Sequence, residues 1–332
     1  MNETELIAAL SALSESSTNR KILVGIGDDA AAWRPSRSRL SVISTDALIE
    51  GVHFTRALGN EAIGHRAMAA NLSDLAAMGA RPVLCTIALG VPRDELHEGV
   101  LEMYAAGARL AREYNLTIVG GDVARSPVLM LCITVVGEVR PTRMKRRAGA
   151  KPGDLIATTG ALGASRAGLD VSQGRVHLRD GLQDVALRAH CFPQPRLAMG
   201  AWLAASQSVH AMTDLSDGLS TDVLHMARSS GRRAILERVP VSSSALAAAS
   251  AQGMDATEYV LAAGEDYELL VAIAPRAFRY LNSRFTKRFG SGLECVGRFE
   301  AGEGGAIVGS SGEVPLKASG WDHLRRGDSA GS

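Results

Sequence analysis

Apolar residues recur at helical spacing from 60 to 79, where Ile63, Ala67, Ala70 and Met78 fall on one face, and again from 93 to 114. Around these segments lie short β-rich runs at 22–26 (ILVGI), 40–45 (LSVIST), 82–90 (PVLCTIALG), 116–119 (LTIV) and 128–139 (VLMLCITVVGEV). The pattern breaks at 140–154, RPTRMKRRAGAKPGD, which is rich in Arg, Lys, Pro and Gly. A second set follows: a strand at 154–159, helices near 163–170 and 195–206, a helix opened by 213–222, and strands near 234–238, 268–274 and 293–299. Alternation of this kind predicts two α/β domains joined near residue 145, spanning 1–145 and 146–326, with 327–332 a disordered tail.

Composition narrows the function classes. The 332 residues are 46% hydrophobic and 21% charged, enough apolar material for a buried core. With 36 basic and 35 acidic residues the formal charge is +1, which argues against a general nucleic-acid or membrane-surface binder. The four cysteines, Cys85, Cys132, Cys191 and Cys295, have no C-x-x-C spacing, so neither a zinc site nor a disulfide framework is expected. The first residues, MNETELIAALSALSESS, are acidic and amphipathic, and the longest apolar run, 128–136, is too short to span a bilayer. A soluble cytoplasmic protein is the expectation.

Several stretches carry candidate chemistry. GIGDDA (25–30) follows a strand and matches the dinucleotide fingerprint, but Asp28 and Asp29 would repel a pyrophosphate and Pro35 stops the helix that should follow. STDALIEGVHF (44–54) ends a strand with Ser44, Thr45 and Asp46, and His53 stands seven residues beyond Asp46. In NLSDLAAMGARP (71–82), Asp74 sits in an apolar helix; facing a core it needs a partner, and the alternative is solvent beside Arg66 or Arg81. GGDVARSP (120–127) puts Asp122 after two glycines, either at the ligand-binding end of a strand or in a hairpin turn. GEDYELL (264–270) read alone is a capped, solvated loop, and the basic run at 140–151 is a linker or the source of a phosphate clamp. TDLSDGLSTD (213–222) opens a helix with Asp214 and Asp217, while Asp222, one turn in, is expected to be solvated.

Asp29, Asp46, Asp74, Asp122, Asp214 and Asp217 thus lie at element ends or in an apolar helix. If they converged, each pair about 4 Å apart would cost roughly 4 kcal/mol at an effective dielectric near 20, which only bound cations can offset. Oxygen ligands without a His or Cys cluster suit Mg²⁺, which usually bridges carboxylates to substrate phosphates. No Walker A loop and no H-R-D or D-F-G kinase element occurs.

Nine motifs in order, GIGDDA, STDALIEGVHF, NLSDLAAMGARP, GGD, RRAGAKPGD, TG-ALG, TDLSDGL, GEDYELL and a late GWDHL, make the chain resemble the thiamine-monophosphate kinase family. That family sits in the superfamily of aminoimidazole ribonucleotide synthetase and selenophosphate synthetase. The resemblance covers about residues 22 to 324. It implies an α/β (α+β) two-domain aminoimidazole ribonucleotide synthetase-like fold, with an N-terminal mixed sheet pairing across a homodimer and a C-terminal α/β domain closing the site. It further implies ATP-dependent phosphorylation of thiamine monophosphate to thiamine diphosphate with several Mg²⁺ ions. By matching position, Asp29, Ser44, Thr45, Asp46, Asp74, Asp122, Asp214 and Asp217 would hold Mg²⁺. Tyr104, Gly121, Asp122, Arg147 and Ser216 would contact ATP, and His53, Glu265 and Trp321 the thiamine monophosphate. Asp122, Asp46 and Arg147 would carry the catalytic burden. Val123, Ala124, Ala263, Trp321 and Leu324 depart from the family's usual wording, without removing a proposed metal ligand. The competing readings are another ATP-dependent synthetase of the superfamily and a non-catalytic Mg-nucleotide binding protein.

Overall fold

The helical spacing over 60–79 and the β-rich runs around it fold into the first half of the chain, seen in a computed structural model describing residues 3–14, 19–95, 97–179, 181–309 and 312–321. In order, this half contains α1 (Glu3–Ser14), β1 (Ile22–Val24), β2 (Ala32–Trp33), β3 (Leu40–Ile49), α2 (Asn60–Ala77), β4 (Arg81–Val91), α3 (His97–Glu113), β5 (Thr117–Arg125) and β6 (Met130–Val139). No helix follows GIGDDA; that loop joins the short antiparallel pair β1 and β2. Four strands form a mixed sheet in the order β3-β6-β4-β5, with β4 and β5 parallel and the other pairs antiparallel. Because β4 lies between β5 and β6, GGDVARSP is not a hairpin, and β5 continues through it to Arg125. Gly121 is required by this pairing: a Cβ there would stand 1.9 Å from the carbonyl oxygen of Ile87 on β4.

The second half continues with β7 (Leu155–Thr158), α4 (Ala164–Ser172), α5 (Leu182–Cys191), α6 (Leu197–Ala204), β8 (Val209–Asp214), α7 (Leu219–Ser230) and β9 (Arg232–Leu236). It ends with α8 (Ser243–Ala251), α9 (Ala256–Leu261), β10 (Leu269–Ile273), α10 (Pro275–Phe289), β11 (Glu294–Ala301), β12 (Gly305–Gly309) and β13 (Gly312–Pro315). Seven of these strands form one sheet, β13-β12-β9-β11-β7-β10-β8, in which only β9 and β12 run parallel. Helices α5, α8, α9 and α10 and strands β8, β12 and β13 add to the elements expected from the pattern. The Ala-rich α8 has no polar face to give a period, whereas α10 carries Phe278, Leu281, Phe285 and Phe289 at helical spacing behind Pro275.

The two halves share a core. Leu72 and Leu75 of α2 pack in one buried cluster with Leu197 and Leu203 of α6 and Met212 of β8. A second cluster, with Tyr259, Phe299 and Val223, belongs to the second half alone. Among the described residues no helix is long and apolar enough to cross a membrane. The four cysteines are free. Asp322, His323 and Leu324 of GWDHL and the 327–332 tail lie outside the described residues.

Candidate active site

Strand alternation decides which side chains of STD point where. Ser44 and Asp46 face α2, and Thr45 faces the other side of the sheet, where its hydroxyl pairs with that of Thr134 at 2.8 Å. On the α2 side the Ser44 hydroxyl donates to Asp74 Oδ2 at 2.5 Å. The Asp46 amide donates to Oδ1 of the fully buried Asn71 at 3.1 Å, and Asn71 in turn donates to the Ala67 carbonyl. The long apolar helix therefore carries Asn71 and Asp74 toward the middle of β3, which does not end at STD but runs on through its pairing with β6 to Ile49. Ser73 reaches into the second half, donating to Asp214 Oδ2 at 2.8 Å.

The cluster is electrostatically loaded. Burial, then the charges of Asp74 and Asp217, push Asp46 up to about 6, and a carboxyl–carboxyl hydrogen bond joins it to Asp74. Burial raises Asp74 too, against the opposing pull of the Ser44 hydrogen bond and the Arg147 charge. Burial and the Asp74 charge take Asp214 to about 7. Arg147, anchored by its Nε donating to the Thr213 hydroxyl at 3.0 Å, reaches both Asp74 and Asp214 with its charge. One guanidinium for four carboxyls leaves a surplus of negative charge on an all-oxygen donor set. Ser44, Asp46, Asp74, Asp214 and Asp217 thus suit a hard divalent cation.

Asp222 is not solvated, contrary to the expectation from its place one turn into α7. It is 2% exposed, and its Oδ2 accepts the amides of Asp217 and Gly218 at 3.2 and 3.1 Å. It shapes the TDLSDGL turn from inside, and burial, with Asp214 and Asp217 nearby, takes its carboxyl up to about 8. The signal missed was the spacing: Asp222 closes back on a loop that no apolar pattern describes. Asp217, Asp222 and His225 each present a ligand atom within 4.8 Å of the others, among the described residues.

Asp29, Tyr104, Gly121 and Asp122 assemble elsewhere. They line a cavity of about 600 Å³ together with Thr86, Ala88, Cys132 and Thr134, between the 25–31 loop and the sheet. The register Asp122–Ala88–Cys132–Ala47 puts Asp122 on the same sheet face as Thr45 and opposite to Asp46. Three strand spacings of roughly 4.8 Å separate β3 from β5, about 14 Å in all. Within one chain, then, Asp46, Asp74, Asp214 and Asp217 form one group, and Asp29 and Asp122 line a separate cavity. Tyr104 is anchored by the Ser14 hydroxyl at 2.7 Å.

The remaining predicted residues gather around GEDYELL. Its acids are not a solvated loop, because each finds a partner. Glu265 takes Arg66 at 2.5 Å, Asp266 accepts the amides of Gly163 and Ser165 at the start of α4, and Glu268 takes a fork from Arg196 plus the Thr159 hydroxyl. Arg66 is thus committed to Glu265 and does not pair with Asp74. The Ser216 carbonyl accepts the Glu265 amide at 2.8 Å, and the Asp217 carbonyl accepts the Trp321 amide at 3.1 Å. Trp321 is 54% exposed. His53 accepts the Ile49 amide on Nδ1 at 3.0 Å, so the neutral ring carries its proton on Nε2.

A mixed four-stranded domain joined to a seven-stranded one, with acids converging from both, defines a class. The family model described as AIR synthase related protein, N-terminal domain, matches residues 27–139, and its C-terminal domain counterpart matches 151–308. The chain is 40% identical over 255 residues to the thiamine-monophosphate kinase of Synechococcus elongatus, covering 75% of this chain and 77% of that one. The thiamine-monophosphate kinase structure from Stenotrophomonas maltophilia superposes with a TM-score of 0.81 at 32% identity, over 92% and 96% of the two chains. AaThiL complexed with AMPPCP and TMP superposes with a TM-score of 0.76 at 27% identity, over 98% and 99%. The fold is that of the AIR synthase related proteins. Within them, the chain belongs to the thiamine-monophosphate kinase family.

Proposed function

We propose that this chain transfers the γ-phosphoryl group of ATP to the phosphate of thiamine monophosphate, giving thiamine diphosphate. The observation that carries the reading is the convergence of Ser44, Asp46 and Asp74 from the first half with Asp214 and Asp217 from the second, in a chain of this family. A carboxylate group pushed up to about 6 and 7, first by burial and then by its own crowding, fits divalent cations between itself and phosphates. Mg²⁺ ions, held by Asp46, Asp74, Asp214 and Asp217 with Ser44 on one side of the first sheet and by Thr45, Asp29 and Asp122 on the other, would supply charge neutralisation between carboxylates and phosphates.

The protein's own part is alignment. The acceptor is a phosphate monoester whose second pKa is about 6, so it is largely ionised at neutral pH and needs no strong general base. Arg147, exposed at its tip and tied to Thr213, clamps a phosphate in a fork. Tyr104, Gly121 and Asp122 line the cavity assigned to ATP, and Ser216, at the TDLSDGL turn beside Glu265, is assigned to the nucleotide as well. His53 donates through Nε2, Glu265 offers a carboxylate, and Trp321 offers an indole face to the organic part of the acceptor. Catalysis is assigned to Asp122, Asp46 and Arg147.

The enzyme acts as a homodimer through its N-terminal sheets. The reading is supported by the open sheet face, where Ile43 is 72% exposed beside Thr45. The domain boundary is put near residue 145 and the location in the cytoplasm, which the four free cysteines support. The test is purified protein with ATP, Mg²⁺ and thiamine monophosphate, with thiamine diphosphate followed chromatographically. Product should accumulate in proportion to enzyme; none, despite tight ATP binding, would sink the proposal.

A further inference from the structure

We infer that Arg66 is a positioning residue: with His190 it forms a buried seat that aims Glu265 at the organic end of the acceptor. The inference rests on the substrate reading of Glu265 given above and extends it to residues outside that site. Arg66 stands in the apolar helix α2 and is 2% exposed. One terminal nitrogen donates to Glu265 Oε1 at 2.5 Å, while the other donates to the His190 carbonyl at 2.5 Å and to His190 Nδ1 at 3.0 Å. Helix α2 of the first half, the end of α5 and the GEDYELL loop of the second half therefore meet at one guanidinium.

Three features argue that this seat serves Glu265 rather than general stability. First, Asp266 and Glu268 bind groups of their own half, whereas Glu265 alone crosses to α2. Second, Glu265 and Tyr267 hold φ of +63° and +51°, a left-handed backbone costing about 1 kcal/mol or more at each non-glycine residue. The amides of these two residues are pinned to the Ser216 and Leu215 carbonyls, so the strained loop is fixed beside the TDLSDGL turn. Third, Arg66 Nε is buried without a hydrogen-bond partner among the described residues. An unmade bond of that kind costs about 1–3 kcal/mol, so the arrangement is not optimised for folding.

The charges are consistent with this geometry. Burial would raise the Glu265 carboxyl, but Arg66 outweighs it and holds Glu265 below the ordinary range, ionised. Burial and Arg66 together depress His190 to about 4, so it meets the guanidinium as a neutral lone-pair acceptor. A side chain one-third exposed and kept anionic repels phosphate. Its fitting partner is the cationic ring of the acceptor, with His53 alongside.

The test is steady-state kinetics on wild type, R66M, R66K, E265Q and the double variants that combine E265Q with R66M or R66K. R66M should raise KM for thiamine monophosphate about tenfold or more while KM for ATP stays within about twofold, and R66K should recover part of the loss. In the E265Q background either Arg66 substitution should add less than about twofold, because its effect passes through Glu265. Effects that multiply in the double variants, or equal rises in both KM values, would overturn the seat. If R66M does not fold, the R66K and E265Q cycle decides alone. A wild type that makes no thiamine diphosphate defeats the proposed function, whereas an active wild type with multiplicative variants defeats only the seat.

Discussion

Replacing Asp214 with Asn isolates the cost of the acid cluster. Asp214 is 3% exposed, and its Oδ2 accepts the Ser73 hydroxyl, a bond that Asn can still accept. Its carboxyl moves from an ordinary 3.8 to about 7, with burial the first cause and the Asp74 charge the second. A rise of about three pH units corresponds to about 4 kcal/mol between the neutral and ionised native states. Asp46 is raised to about 6 and Asp74 is raised as well, so the cluster shares the strain and relieving Asp214 alone returns about 2–4 kcal/mol. The sign follows from proton counting. Between pH 3.8 and about 7 the native protein binds more protons here than the unfolded chain, so this contribution is full below 3.8 and lost as pH rises through about 7. In EDTA at pH 8, Asp214→Asn should therefore melt several degrees above wild type, and the difference should shrink toward pH 4. Added Mg²⁺ should stabilise wild type more than the variant. The assay is thermal unfolding against pH for both proteins, with EDTA and with Mg²⁺. A variant less stable than wild type in EDTA at pH 8, or an equal Mg²⁺ response in both, would refute the reasoning.

Asp122→Asn should lower kcat about a hundredfold or more while leaving Tm within a degree or two, because Asp122 is exposed in the cavity and holds no core together; near-wild-type turnover would remove it from the catalytic set. Gly320→Ala should undock the segment bearing Trp321, since a Cβ there would lie 1.9 Å from the Asp217 carbonyl oxygen. Its signature is a higher KM for thiamine monophosphate with KM for ATP little changed, and unchanged kinetics would show that Trp321 does not contact the acceptor.

Local chemistry was legible in the sequence. The period over 60–79 located α2, the break at 140–154 located the passage between the two sheets, and the acids singled out in STD, NLSD and TDLSD are ones the structure draws toward one another. Those features depend on residues close in sequence, where side-chain direction follows from the period of the element. Strand order does not. The arrangement β3-β6-β4-β5 sends Asp46 and Asp122 to opposite faces and opposite edges of one sheet, although both follow a small or hydroxyl residue within a strand. The burial of Asp222 follows from a loop folding back on its own helix. The commitment of Arg66 to Glu265 joins residues far apart in the chain across the seam between the two halves. Which acids the chain carries was written in its sequence. Which of them face one another was decided by long-range pairing and by the cost of leaving a buried charge without a partner.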